Sequence, residues 1–119
     1  MNARMLMGAL ALSAIVQVGT AAAQAATQFD APTFYQENCR KCHGVRGTPP
    51  KTMKAKFPKI ATFDAAFIAS HSQDSIVKIL TKGKGEDMKS FADKLKSPEE
   101  RAAVAKYVHE LADKAHPGS

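Results

Sequence analysis

Residues 37–47, "ENCRKCHGVRG", hold both cysteines of the chain, two residues apart, with a histidine directly after the second. Such a pair fits three chemistries: a redox dithiol, half of a zinc site, or the anchor of a covalently bound haem. A dithiol oxidoreductase needs a βαβ setting, and no window alternates like a strand bounded by hairpin turns. A structural zinc site needs four ligands at recognisable spacing. The remaining candidates, His43, His71, His109 and His116, contain no finger-like pair. A plain disulfide stays open as the bland alternative. The C-x-x-C-H reading accounts for every position. The thiols of Cys39 and Cys42 add across two haem vinyl groups, and a two-residue gap lets one helical turn reach both. His43 then stands beneath the iron as proximal ligand.

The ends of the chain set the context for that motif. Met1 to Arg4 carry one positive charge, Met5 to Val18 are mostly apolar, and the small residues "GTAAAQAAT" follow. This is the pattern of a cleaved signal peptide over 1–23, with the cut after Ala23 or, alternatively, after Ala25. The apolar run is shorter than the roughly 20 residues of a spanning helix, and no later segment is a better candidate. The expectation is therefore an exported, periplasmic domain over 24–119. At about a hundred residues it has a marginal core of its own, which a large apolar cofactor would complete.

Helical signals dominate the rest. "DAPTFYQENC" offers Asp30 or Thr33 as a cap, with Thr33 and Gln36 as a possible capping box, and turns Phe34 and Tyr35 inward. "FDAAFIAS" gives about two turns from Asp64. "SQDSIVKILTKG" starts at Ser72 or Asp74, buries Ile76, Ile79 and Leu80, and stops at Gly83. "SPEERAAVAKYVHELADKAHPG" carries the strongest signal: Ser97 and Glu100 form a capping box, and Pro98 suits the first position. Val104, Tyr107, Val108, Leu111 and Ala115 share one face, and the helix stops near Ala115. Residues 44–62, with Pro49, Pro50 and Pro58, read as a long irregular loop.

A sixth iron ligand belongs well downstream of His43. Met88, in "GKGEDMKSF", is the choice, because a thioether favours Fe(II) and Met/His ligation raises the reduction potential. Met53 is too close in sequence to pass round a haem and reads as a packing residue. A bis-His pair of His71 and His109 is the alternative; both read as surface residues.

From about Thr33 to Ala112 the chain resembles small class I c-type cytochromes. "CRKCHG" after an aromatic helix, "FPKIA", "IVKILTKGKGEDMKSF" and "LKSPEERAAVAKYVHELA" carry the resemblance. It implies an all-α cytochrome c fold of three to five short helices around one covalent haem c and its iron. It implies that Cys39 and Cys42 hold the haem, that His43 and Met88 ligate iron, and that the carbonyl of Pro58 accepts from His43. It also implies that the first and last helices cross, bringing Phe34 or Tyr35 against Tyr107, Val108 and Leu111. Lys89 departs from the proline that usually follows the ligand methionine.

Charge points to the partner. The formal charge is +6, and seven basic residues lie between Asn38 and Phe63 with no acidic one. An exported protein seldom meets nucleic acid, so an acidic protein surface is the expected target; a solvated basic loop is the bland alternative. Lys41, Lys54, Lys82, Lys84 and Lys89 are the candidate docking residues. The expected function is single-electron transfer between larger redox proteins, with no enzymatic substrate, as a monomer or as a subunit of a redox complex. A haem sensor or peroxidase with an open sixth position is the rival.

Overall fold

The computed structural model describes residues 28–115. The expected signal peptide, both of its cut sites, and the stop at Pro117 and Gly118 lie outside the described residues. Among those described the chain is all-α, and the only extended pairing is an isolated bridge between Lys84 and Met88.

Asp30 opens α1 (Ala31–Asn38), accepting the Thr33 N–H at 3.0 Å and the Thr33 hydroxyl at 2.7 Å. That hydroxyl is thereby spent on Asp30, so Asp30 rather than Thr33 caps the helix. Cys39 closes α1 through its N–H to the Tyr35 carbonyl at 2.9 Å and opens α2 (Arg40–His43), accepting the His43 N–H at 3.0 Å. The attachment motif is therefore one tight turn hung directly on the first helix.

Among the described residues six helical segments form, more than the three to five expected, and the addition is α3 (Lys51–Lys56). The prolines of 44–62 suggested an irregular loop throughout. Pro50 instead stands at the helix start, where a missing N–H and a fixed φ are harmless, and "KTMKAK" consists mostly of good helix formers. Next come α4 (Ala65–Ser70), capped by Asp64, and α5 (Gln73–Lys82), capped by Ser72 rather than Asp74. In α6 (Pro98–Ala115) the capping box forms in both directions: Glu100 N–H to Ser97 Oγ at 3.1 Å, and Ser97 N–H to the Glu100 carboxylate at 3.2 Å.

Helix α6 is the spine, packing against α1, α4 and α5. Its buried face is Val104, Ala105, Val108, Leu111 and Ala112, opposed by Tyr35 from α1 and by Ile76 and Leu80 from α5. Tyr35, Leu95 and Val104 are the most completely buried side chains. Each burial of this size is worth about 1.5–3 kcal/mol. The crossing of first and last helices uses Tyr35, whose ring meets Tyr107 edge-on at 5.5 Å. Phe34 turns the other way, toward Phe29 and Phe91.

Candidate haem-attachment site

Cys39 and Cys42 are both free thiols, half-buried, on the single turn that links α1 to α2. Burial and the neighbouring Cys42 push the Cys39 thiol up to about 11, against a smaller downward pull from Lys94. Dithiol oxidoreductases depend on a depressed thiol pKa. The Cys39 thiol has the opposite poise, so the redox-disulfide chemistry is disfavoured. Among the described residues no cluster of three or more metal-binding side chains forms, which removes the zinc reading there.

His43 ends the same turn. Burial holds its imidazole below the ordinary histidine pKa, with the backbone of Ala61 pulling the other way. The ring is therefore neutral at pH 7, the form that binds metals. Its Nδ1 is buried with no hydrogen-bond partner, and the Ala61 backbone lies close to the ring. Pro58, expected to offer a carbonyl there, is exposed. The chain turns once more after it, with the Ile60 N–H bonding the Phe57 carbonyl at 3.0 Å, so Ala61 takes the place beside the imidazole.

Three further contacts shape the motif, and none has a local sequence signal. The Tyr35 hydroxyl donates to the Gly44 carbonyl at 2.8 Å, tying the residue after His43 into the core. The ring of Phe63 stacks on His43, centroids 4.8 Å apart and planes 17° from parallel. The ammonium of Lys94 donates to Asn38 Oδ1 at 2.6 Å, joining the segment after Met88 to the residue before Cys39. These pairs are distant in sequence, so only folding brings them together.

Met88 lies half-buried against the core at the end of a short loop. The loop is pinned three times: Lys84 N–H to the Met88 carbonyl at 2.8 Å, Ser90 hydroxyl to the Thr81 carbonyl at 2.6 Å, and Phe91 N–H to the Leu80 carbonyl at 2.8 Å. Gly83 makes the turn at φ +79°, and a Cβ there would meet the Met88 carbonyl oxygen at 2.6 Å. Met53 is half-buried on α3 and outside the core cluster, so the packing role expected of it is not what the structure shows. His71 and His109, the alternative ligand pair, are both half-buried rather than surface residues. They are tied to each other, His109 Nε2 donating to the His71 carbonyl at 2.9 Å.

The candidate docking residues Lys41, Lys54, Lys82, Lys84 and Lys89 are all exposed. So are Arg40, Arg46, Lys51, Lys56 and Lys59. The one ion pair among the described residues is Lys106–Glu110 on α6, at 3.9 Å. Val45, two residues after His43, is 57% exposed, an apolar side chain among these cations.

Two thiols and a neutral, half-buried imidazole on one turn fit a covalently held haem, and the comparisons agree. The family model for cytochrome c oxidase, cbb3-type, subunit III, a c-type cytochrome domain, matches residues 30–108. The solved structure of the KustC0563 c-type cytochrome is similar, with a TM-score of 0.61 and 31% identity over 69% of this chain and 96% of that one. No curated protein matches. With its attachment turn, its helical wrap and both of these likenesses in agreement, the chain belongs to the cbb3-type subunit III family of small c-type cytochromes, whose cofactor is covalently bound haem c.

Proposed function

We propose that this electron-transfer protein is a single-electron carrier of the periplasm, shuttling between larger redox proteins. Cys39 and Cys42 would hold the haem, and His43 and Met88 would ligate its iron. When bound, the haem supplies a one-electron Fe(III)/Fe(II) couple. The chain's own residues do the rest. With Nδ1 buried inside the protein, Nε2 of His43 is the nitrogen left to ligate. The pinned loop after α5 presents the Met88 sulfur, a soft ligand that raises the potential. The buried faces of α1, α5 and α6 keep water from the site. The exposed cations meet an acidic partner. Export fits the leader pattern, and among the described residues no helix is long and apolar enough to cross a membrane.

The observation that carries the reading is the turn itself: two free thiols and a neutral, half-buried histidine within five residues. Mass spectrometry of the denatured protein, expressed with a working haem-attachment system, should show the polypeptide plus one haem. An apoprotein mass with a Cys39–Cys42 disulfide would sink the reading. A second possibility, a subunit of a larger oxidoreductase, is favoured by the description of the matching family as an oxidase subunit. The size of the native particle separates the two: a carrier runs as a small protein, a subunit co-migrates with its complex.

A further inference from the structure

We infer that Phe63 is the residue that orients the His43 ring, a positioning role that rests on reading His43 as an iron ligand. Metal-ligating imidazoles are usually held by a hydrogen bond from the second ring nitrogen. Here that nitrogen, Nδ1, is buried without an acceptor in line. What touches the ring is an aromatic face, 4.8 Å away and only 17° from parallel. A stacked face opposes tilting of the imidazole while leaving its coordinating edge clear.

Phe63 can do this because it is itself fixed from several sides. It is buried, and its N–H donates to the Gly47 carbonyl at 2.8 Å. Gly47 closes against the ring so tightly that a Cβ there would lie 2.8 Å from both Cβ and Cδ2 of Phe63. Phe67 packs on Phe63 at 4.9 Å and Tyr35 at 6.5 Å. Tyr35 in turn holds the carbonyl of Gly44, directly after His43. The backbone that follows the imidazole and the ring that covers it are thus anchored to one aromatic group. This arrangement also explains why Gly47 stands in the loop beyond the motif: any side chain there would push Phe63 off its place.

The orientation of an axial imidazole plane sets the unpaired-spin distribution over an oxidised haem. The four haem methyl resonances in the paramagnetic proton spectrum, and the anisotropy of the low-spin electron paramagnetic resonance signal, report it directly. In the oxidised holoprotein, Phe63→Leu should change the order of the four methyl shifts and alter the anisotropy, and Phe63→Tyr should restore the wild-type pattern. Val104→Ala, a core substitution on α6, should lower the unfolding midpoint without changing the methyl order. If Phe63→Leu fails to assemble, Gly47→Ala provides the second route, displacing Phe63 from the opposite side and changing the same pattern. An unchanged methyl order in whichever of these two variants assembles would overturn the inference and leave the Ala61 carbonyl as the orienting group. Failure of the underlying reading looks different: a wild-type holoprotein without hyperfine-shifted His43 ring protons means His43 is not a ligand at all.

Discussion

In the proposed ligand set, the imidazole of His43 and the thioether of Met88 would reach the iron by different means. His43 is delivered by its own turn, two positions of which are the thiols. Met88 is delivered by a loop and depends on everything that fixes that loop. Met88→Ala should abolish the weak far-red charge-transfer absorption of an Fe(III)–Met bond and lower the reduction potential. Met53→Ala should leave both nearly unchanged, and this pair of variants decides between the two methionines. A wild type that lacks the band and binds carbon monoxide readily would favour a sensor or peroxidase with an open sixth position. Lys89, in place of the proline usual after the ligand methionine, leaves the segment one constraint short. The hydrogen bonds flanking Met88, to Lys84 on one side and from Ser90 and Phe91 to Thr81 and Leu80 on the other, supply alternative restraint.

Elements in this protein are defined by their ends. Gly83 both stops α5 and lets the Met88 loop pass within contact of it. Gly83→Ala places a side chain at φ +79° and against the Met88 carbonyl. That backbone region, with ψ 178°, is essentially reserved for glycine and alone costs about 1–3 kcal/mol, and relief of the overlap must move the loop. The expected result is a lower unfolding midpoint together with loss of the far-red band, whereas a purely destabilising change would spare the band. Ser97→Ala breaks the capping box of α6 and should cost about 1 kcal/mol in chemical denaturation, with the band intact. At the other end of the fold, the Thr33 N–H and hydroxyl hold the Asp30 carboxyl below its ordinary value of 3.8. A depressed pKa contributes stability that is fully present above the unfolded value and is lost as pH falls through the folded one. Acid unfolding should therefore begin with fraying of α1, and Asp30→Asn should weaken that acid dependence in a pH series of unfolding midpoints.

Over the whole molecule the charge is lopsided. The stretch from Arg40 to Lys59 carries seven cations and no carboxylate, while Glu86 and Asp87 sit between Lys84 and Lys89. A partner with an acidic surface, as proposed, would thus be attracted more strongly to the α2–α3 side than to the methionine loop. Long-range attraction of this kind accelerates encounter by about 10–10³-fold and releases the partner quickly afterwards. The Debye length shrinks from about 30 Å at 0.01 M salt to about 8 Å at 0.15 M. The second-order rate with an acidic partner should therefore fall steeply over that range. Lys54→Glu should lower it more than Lys84→Glu or Lys89→Glu, and Lys114→Glu should matter least, all with little change in potential. Val45→Ser tests the apolar part of the same surface: its effect should persist at high salt. A rate indifferent to salt and to every reversal would reduce the basic face to a solvated surface.

The attachment motif was legible in the sequence because it is local: thiols and imidazole must share one helical turn, and spacing alone encodes that. The helix starts at Asp64, Ser72 and Ser97 were legible for the same reason, since a cap and its N–H lie three residues apart. The proline-rich loop misled because Pro50 begins a helix as readily as it interrupts one, and only the backbone around it decides which. The surroundings of His43 were not legible at all. Phe63 over the ring, Ala61 rather than Pro58 beside the imidazole, Tyr35 on the Gly44 carbonyl and Lys94 on Asn38 each join segments that local spacing does not relate. Such contacts arise only when α6 draws α1, α4 and α5 together. The sequence by itself determined which atoms are the candidates for holding a haem; the tertiary structure decided what fixes those atoms in place, because packing between distant segments leaves no periodic trace along the chain.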